Sequence, residues 1–200
     1  RRCPRTAGQS APAGPTSRTD PCQCGASWDK LLRVFRTGFG YDSHRFDPTR
    51  PLVLGGVTIA DAPGLAGHSD ADAVLHAIID GLFGAAGMGD IGEHFPDTDG
   101  AFAGADSAEL LAETLRRIGR AGWRPVNCDV TVVAEHPRLS PYKPAMRQRI
   151  AGLLGVDATA VSVKAKTNEG MGSIGRGEGI VAMAAVLVVA ADRIEDRGPG

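Results

Sequence analysis

The chain contains no apolar segment long enough to cross a membrane as a helix. Its longest apolar run, residues 180–191, has a dozen residues, whereas a membrane-spanning helix needs about 20, so we interpret this run as a buried strand. A large excess of one charge is also missing: the formal net charge is -1 at pH 7, which argues against a protein that binds nucleic-acid phosphates. We therefore expect neither a membrane nor a nucleic acid as partner.

Cysteines and aromatic residues are scarce. Three of the four cysteines lie within the first 24 residues, and this arrangement does not indicate a disulfide framework. Cys22 and Cys24 are too closely spaced for the usual zinc site and have no second ligand pair nearby, while Cys128 is expected to be a small buried hydrophobe. Aromatics make up only 5% against 27 glycines, so we expect tight turns and close backbone approaches at the functional loops.

The composition indicates one globular domain with a dissimilar tail. Of the 200 residues, 42% are hydrophobic and 22% charged, as in ordinary folded proteins. Residues 1–32 are rich in Pro, Gly and Ser without apolar periodicity, and we predict a disordered tail or linker there. Residues 33–192 are predicted to form the folded domain, and residues 193–200 a C-terminal tail.

The charge is unevenly distributed along the chain. The first 30 residues carry five basic and two acidic groups, which leaves 17 basic and 21 acidic groups, a net charge of -4, on the remainder. No apolar segment of a secretory signal follows the early arginines, so we expect a cytoplasmic protein. An organelle transit peptide or a linker from an upstream domain are alternatives that the composition leaves open.

The apolar pattern predicts an α/β (α+β) fold with a mixed sheet covered by helices on one face. Helical spacing of apolar residues between 70 and 86, ended by Gly87 and Gly89, is the clearest signal. No internal repeat is visible. We predict helices over 70–86, 107–120 and 141–154, and strands over 33–40, 51–60, 126–134, 160–165 and 180–190.

Asp42 and His44 follow the first predicted strand. Two residues apart on an extended segment, their side chains project to the same face. A carboxylate and an imidazole placed in this way can bind a divalent ion. The alternative is an ordinary hydrogen bond at the surface.

A second group of polar residues lies on the predicted helix over 70–86. Asp72, His76 and Asp80 are four residues apart and therefore share one stripe of the helix. Either the stripe is a solvated ladder of acids and histidine, or His76 is the third ligand of an Asp-His-His zinc site whose fourth position is open to substrate. In the second case Asp72 or Asp80 would orient the imidazole.

The loop over 89–99 is rich in acids and glycines. Asp97 and Asp99 could bind a metal, but aspartates are common in turns. We therefore favour recognition of the hydroxyl groups of a polyol as the role of this loop.

The motifs, taken in order, resemble the 2-C-methyl-D-erythritol 2,4-cyclodiphosphate synthase family over residues 35–191. The matching segments are Gly40-Tyr-Asp-Ser-His-Arg-Phe46, Leu54-Gly-Gly-Val-Thr-Ile59, His68-Ser-Asp-Ala-Asp-Ala-Val-Leu-His76, Gly89-Asp-Ile-Gly92, Phe95-Pro-Asp-Thr-Asp99, Gly104-Ala-Asp-Ser107, Asp129-Val-Thr131 and Gly175-Arg-Gly-Glu-Gly179.

The resemblance implies a step of the non-mevalonate isoprenoid pathway. A 4-diphosphocytidyl-2-C-methyl-D-erythritol 2-phosphate cyclises to the cyclic diphosphate and releases CMP, which makes the enzyme a phosphorus-oxygen lyase. The family is a homotrimer with active sites between neighbouring subunits, so residues 33–192 would be the cyclodiphosphate synthase domain.

The resemblance also implies the site residues. Asp42, His44 and His76 would hold zinc, and Glu169 a second ion, magnesium or manganese. His68 and Thr167 would stabilise the transition state. Contact with the substrate is implied for Asp42, Ser43, His44, His68, Ser69, Asp90, Ile91, Gly92, Phe95, Pro96, Asp97, Thr98 and Asp99, and across the interface for Ala134, Pro137, Arg138, Leu139, Ser140, Ala165, Lys166, Thr167, Asn168, Glu169, Ser173 and Arg176.

Three positions depart from the family pattern. Arg138 stands where lysine is frequent and keeps the positive charge, and Lys166 stands where threonine is frequent. Ser173 replaces a common phenylalanine, which argues against an apolar isoprenoid-binding cavity on the trimer axis.

Other functions are compatible with parts of this pattern. A noncatalytic relative would bind metal or nucleotide without turnover, and a metal phosphohydrolase would use water as its nucleophile. The chain could also be the C-terminal part of a bifunctional cytidylyltransferase and cyclase. The intact set of Asp42, His44, His76 and Glu169 favours the cyclase.

Overall fold

The computed structural model describes residues 34–96 and 104–191, so the predicted tails over 1–32 and 193–200 lie outside the described residues. Within these ranges, no helix is long and apolar enough to cross a membrane. The elements in chain order are β1 Phe35–Leu54, β2 Val57–Leu65, α1 Ala73–Ala86, α2 Ile91–His94, α3 Ser107–Arg120, β3 Trp123–Val133, α4 Lys143–Leu154, a 3-10 turn Ala158–Ala160, β4 Val161–Lys166, α5 Gly172–Gly175 and β5 Gly179–Ala190.

The five described strands form one mixed sheet in the order β2-β1-β5-β3-β4. β3 and β4 are parallel, while the other neighbouring pairs are antiparallel. This confirms the predicted fold class. It also confirms the long apolar run as the central strand β5, whose backbone is paired on both edges.

The predicted strand over 51–60 is wrong, because this segment is a β-hairpin. β1 ends at Leu54 and β2 begins at Val57. Gly55 and Gly56 between them have φ values of 61° and 69°, the left-handed conformation that both central residues of a type I′ hairpin turn require. The strand predicted to end at residue 40 instead continues to Leu54, because residues 35–45 pair along their whole length with β5.

Helix α1 packs directly on the backbone of β1. Its large apolar residues, Leu75, Ile78, Ile79, Leu82 and Phe83, are all fully buried. Gly38 and Gly40 on β1 make the close approach possible: a Cβ at Gly40 would lie 1.8 Å from the Ala77 carbonyl oxygen, and one at Gly38 would lie 1.9 Å from that of Gly81.

The opposite face of the sheet is exposed. Residues of β1 alternate, so that Gly38 and Gly40 face the helix while Phe39 and Tyr41, which are 65% and 54% exposed, face away from it. On β3, Cys128 belongs to the buried face, as predicted, and burial raises the pKa of its thiol to about 12. The described helices therefore cover one sheet face, as expected.

Candidate metal centre

The three side chains predicted to bind zinc converge in the structure. Asp42 Oδ2 lies 2.9 Å from His44 Nε2 and 3.0 Å from His76 Nδ1, and the two histidine nitrogens are 3.3 Å apart. Within the described parts of the chain, no other group of three His, Cys, Asp or Glu side chains brings its ligand atoms this close together.

Two elements position these residues. Alternation along β1 turns Asp42 and His44 to the face that α1 covers, the face that also carries Gly38 and Gly40. His76 immediately precedes Ala77, whose carbonyl oxygen is the point of closest approach to Gly40. The absence of a side chain at Gly40 therefore determines how near His76 comes to β1.

The spacing of the ligand atoms fits a tetrahedral ion. Zinc bonds of about 2.0–2.1 Å place neighbouring ligands of a tetrahedron roughly 3.3 Å apart, and the observed separations are 2.9–3.3 Å. The three side chains are 12–24% exposed. The centre is therefore open on one side, as a catalytic site with one free ligand position requires.

The hydrogen bond of His44 to the backbone determines which of its nitrogens can bind a metal. Its Nδ1 lies 2.7 Å from the carbonyl oxygen of Ala66, and a carbonyl can only accept. Nδ1 therefore carries the proton and the lone pair of Nε2 is directed at the centre. His76 presents Nδ1 to the centre, while its Nε2 faces the hydroxyls of Ser107 and Ser69 at 2.9 and 3.1 Å.

The electrostatics of the cluster favour a bound cation. Burial alone would raise the pKa of Asp42, but hydrogen bonds and charge from His44 and His76 outweigh burial and hold this pKa far below its ordinary value. Burial alone would lower the pKa of His44, but its hydrogen bond to Asp42 and the charge of that carboxylate raise it. Asp42 is thus a carboxylate that attracts positive charge to the centre.

The prediction that Asp72 or Asp80 orients His76 is wrong. The fully buried carboxylate of Asp72 caps α1 and accepts hydrogen bonds from backbone amides, and Asp80 accepts from the amide of Ile91 at 2.8 Å. The helical spacing places Asp72, His76 and Asp80 on one stripe, but it does not show that both acids accept hydrogen bonds from backbone amides. The imidazole is held instead by Ser69 and Ser107, and Ser107 lies 31 residues away in sequence.

Thr167 and Glu169 lie on the loop after β4. Thr167 Oγ1 donates to Glu169 Oε1 at 2.5 Å, and Glu169 has a φ of 51°. Glu135, which the sequence reasoning missed, accepts from the amides of Asn168 and Gly170 at 2.9 and 3.2 Å. The parallel pairing of β3 with β4 could have indicated this contact, because the carboxyl ends of parallel strands meet at one sheet edge.

The loop before α1 carries His68 and Ser69. The carbonyl oxygen of His68 accepts from the amide of Gly104 at 2.7 Å. Arg50, also missed, donates to the carbonyl oxygens of Gly67 and Ser69 on either side of His68. The loop is therefore held from two sides.

The loop over 89–99 is only partly described. Asp90 caps the short helix α2, which begins with Ile91 and includes Gly92, and Phe95 is 6% exposed beneath the Arg117 guanidinium. Pro96 ends the described segment, so Asp97, Thr98 and Asp99 lie outside the described residues.

The remaining predicted residues are spread over several strands at the same end of the sheet. Ser43 pairs with Val181, Val181 with Val133, and Val133 with Lys166. Three strand spacings of about 4.8 Å separate β1 from β4 in that row, roughly 14 Å in all. Ala134, Pro137, Arg138, Leu139 and Ser140 follow β3, Ala165 and Lys166 end β4, and Ser173 and Arg176 lie in and after α5.

Fold and site together define the class as a mixed α/β domain with an Asp-His-His cluster that could hold a metal ion. The YgbB family model matches residues 35–189, and the chain belongs to this family. The match confirms the resemblance to 2-C-methyl-D-erythritol 2,4-cyclodiphosphate synthases, the name that the curated relatives below carry.

Two curated relatives show the similarity in sequence. The 2-C-methyl-D-erythritol 2,4-cyclodiphosphate synthase of Symbiobacterium thermophilum is 60% identical over 151 residues, which is 76% of this chain and 96% of the relative. That of Cupriavidus pinatubonensis is 60% identical over 153 residues, 76% of this chain and 90% of the relative.

Solved structures agree in fold. The bifunctional IspDF from Campylobacter jejuni has a TM-score of 0.77 at 42% identity, and the match covers 80% of this chain but only 44% of that one. The IspF of Plasmodium falciparum, solved as a complex with CDP, has a TM-score of 0.69 at 32% identity and is covered over 99% of its length.

Proposed function

We propose that this chain converts 4-diphosphocytidyl-2-C-methyl-D-erythritol 2-phosphate to the cyclic diphosphate and releases CMP, as a metal-dependent phosphorus-oxygen lyase. The observation that carries the proposal is the convergence of Asp42, His44 and His76 with ligand separations of 2.9–3.3 Å. The names of the curated relatives support the choice of reaction.

The reaction requires two phosphate groups of like charge to meet. An oxygen of the 2-phosphate forms a bond to the diphosphate phosphorus that is attached to methylerythritol. The bond from that phosphorus to the bridging oxygen breaks, and the electron pair leaves with CMP. Asp42, His44 and His76 would hold zinc, which supplies positive charge and polarises the phosphoryl oxygens. Glu169 would hold a magnesium or manganese ion with the same electrostatic purpose.

Side chains of this chain would perform the remaining tasks. His68 and Thr167 would donate hydrogen bonds to the phosphoryl oxygens as negative charge develops on them. The hydrogen bond from Thr167 to Glu169 and the contacts of Glu135 with this loop keep the two groups in a defined arrangement. Ser69, Asp90 and the loop up to residue 99 would bind the methylerythritol hydroxyls.

A complete active site would require residues from two subunits. The residue row that joins Ser43 to Lys166 spans three strand spacings, roughly 14 Å, so the metal centre on β1 and the end of β4 that precedes Thr167 are separate within one chain. A neighbouring copy can bring the two halves together. The exposed aromatic side chains of Phe39 and Tyr41 on the open sheet face support assembly into the homotrimer.

Affinity for an anionic substrate must come from local groups. The segment after residue 30 has a net charge of -4, so attraction by net charge is excluded. Arg138 and Lys166 would supply cations near the diphosphate, together with the metals and the backbone amides of the glycine-rich loops.

The test measures products and metal together. Purified chain incubated with the cytidyl substrate, zinc and magnesium should release CMP and form the cyclic diphosphate, followed by phosphorus NMR. Chelation of the metals should abolish turnover, and readdition should restore it. Asp42→Asn should lose at least a hundredfold in rate, whereas Asp157→Asn, an exposed carboxylate at the 3-10 turn, should match the unmodified chain.

The alternatives predict other products. A linear product would indicate a phosphohydrolase that uses water, and binding of CDP without turnover would indicate a noncatalytic relative. Full activity of metal-free protein would contradict the proposed role of the Asp42, His44 and His76 centre.

A further inference from the structure

His76 is connected to a half-buried carboxylate through one hydroxyl group. Its Nε2 lies 2.9 Å from Ser107 Oγ, and Ser107 Oγ in turn donates a hydrogen bond to Asp70 Oδ1. Ser107 has no exposed surface. The three residues form a chain that begins on the loop before α1, crosses the first residue of α3 and ends at the face of His76 that points away from the metal centre.

The direction of each hydrogen bond follows from counting protons. A serine hydroxyl has one proton, and the Asp70 carboxylate, which can only accept, takes it. Ser107 Oγ can therefore only accept from His76, so Nε2 carries a proton. Without an ion, Nδ1 faces the Asp42 carboxylate at 3.0 Å. With an ion bound between Asp42 and His44, the lone pair of Nδ1 would be directed at that ion.

Asp70 is held in place by the backbone. Its carboxylate accepts from the amides of Ser107 at 3.3 Å and Asp72 at 3.2 Å, and its own amide donates to the carbonyl oxygen of Ala105 at 3.2 Å. The carboxylate that orients Ser107 is thus hydrogen-bonded to the backbone at the start of α1 and at the start of α3.

We propose that Ser107, oriented by Asp70, is a positioning residue that selects the Nε2-protonated tautomer of His76 and thereby sets the affinity of the centre for zinc. The proposal rests on the proposed function of Asp42, His44 and His76 as zinc ligands. Ser69 Oγ, 3.1 Å from the same nitrogen, also accepts the amide of Ala71, and it has no carboxylate that consumes its proton. Ser69 therefore contacts the imidazole of His76 but does not select its tautomer.

Two substitutions test this chain of hydrogen bonds from Asp70 through Ser107 to His76, which we call the relay. Ser107→Ala removes the acceptor, and a lost partner behind a metal-binding histidine typically weakens metal binding about 10–100-fold. Asp70→Ala removes the acceptor of the Ser107 proton, which frees that proton to turn toward Nε2. The proton on Nε2 is then driven to Nδ1, inside the centre, so we expect a loss of affinity of the same order.

The controls separate this effect from loss of structure. Thr114→Val removes another fully buried hydroxyl of α3, one that donates only to the Leu110 carbonyl oxygen, and should leave zinc affinity within twofold. Ser107→Thr retains the hydroxyl and should restore most of the affinity that Ser107→Ala loses, if the variant folds.

The measurement uses the full chain and zinc alone. Zinc affinity is determined by competition with a chromophoric chelator, and the His76 tautomer by nitrogen NMR of the metal-free protein. We expect a proton on Nε2 in the unmodified chain and its loss from Nε2 in Asp70→Ala.

The outcomes distinguish the relay from the metal site. Zinc affinity within twofold of the unmodified chain for both Ser107→Ala and Asp70→Ala, or a His76 whose Nε2 carries no proton in the unmodified chain, would overturn the relay alone. An unmodified chain that binds no zinc would overturn the relay and the proposed function together.

Discussion

At the scale of single residues, Asp72 shows how a carboxylate near a metal centre can serve the fold instead. It accepts from the amides of Gly55 at 2.8 Å and Gly56 at 2.6 Å in the hairpin turn, and from those of Val74 and Leu75 at 3.0 and 3.1 Å in the first turn of α1. One side chain thus joins the β1–β2 turn to the start of the helix that carries His76.

Replacement of Asp72 by Asn should therefore destabilise the protein. An amide has one acceptor oxygen in place of two, so at least one buried amide N–H faces an NH₂ group instead. An unsatisfied buried donor costs about 1–3 kcal/mol, and the free energy of unfolding in urea should fall by an amount in that range. Asp157→Asn at the exposed 3-10 turn is the control, since Asn caps as well as Asp. A change below about 0.5 kcal/mol for Asp72→Asn would contradict this role.

At the scale of elements, the packing of α1 on β1 determines the metal centre. Gly38 and Gly40 let the helix backbone approach the strand to a distance that leaves no room for a Cβ. The two elements contribute the ligands on either side of this contact: Asp42 and His44 follow Gly40 on β1, and His76 precedes Ala77 on α1. The distance between the elements is thus also the distance between the ligands.

Gly40→Ala should consequently impair stability and metal binding together. The added methyl group would lie 1.8 Å from the Ala77 carbonyl oxygen, so helix and strand must separate, and overpacking of this kind costs roughly 1–3 kcal/mol. Zinc affinity should fall with it as His76 moves away from Asp42.

Gly84→Ala is the matched control on the same helix. A Cβ at this exposed position meets nothing within 4 Å, and alanine favours the helix over glycine by about 1 kcal/mol. We expect higher stability and unchanged zinc affinity for this variant. If zinc affinity were also unchanged in Gly40→Ala, the packing of α1 on Gly40 would not be what positions His76.

At the scale of the whole molecule, the two groups of proposed site residues belong to different strands of the sheet. The metal centre lies at β1 and α1, whereas Thr167 and Glu169 follow β4, and β5 and β3 lie between these strands. The uncovered sheet face carries Phe39 at 65% and Tyr41 at 54% exposure. Burial of such aromatic side chains is a large part of the energy of stable interfaces.

Phe39→Asp should dissociate the proposed homotrimer, because it places a charge in a desolvated interface. Sedimentation should show monomers, and release of CMP should be lost. Zinc affinity should persist, since the ligands of one centre come from one chain. Gln148→Asp, on the exposed side of α4, should remain assembled and active. A trimer that survives Phe39→Asp would exclude this face as the interface.

The sequence predicted the elements whose signals are local. The apolar spacing of α1 and the flanking turn residues placed α3 at its observed bounds and α1 within three residues of them. The hairpin was missed although the sequence carries its signal, because Gly55-Gly56 between the apolar residues Leu54 and Val57 is typical of a type I′ turn. The positive φ of both glycines and the pairing of β1 with β2 show that turn.

The amino-acid sequence by itself determined which side chains could bind a metal, because the two-residue period of a strand and the 3.6-residue period of a helix orient side chains locally. Only the tertiary structure decided which acids do so. Asp42 meets His76 across 34 residues of chain, whereas Asp72 turns to backbone amides. The roles of Ser107, Glu135 and Arg50 depend on such distant contacts, since a hydrogen bond needs its partner in space and local periodicity does not specify that partner.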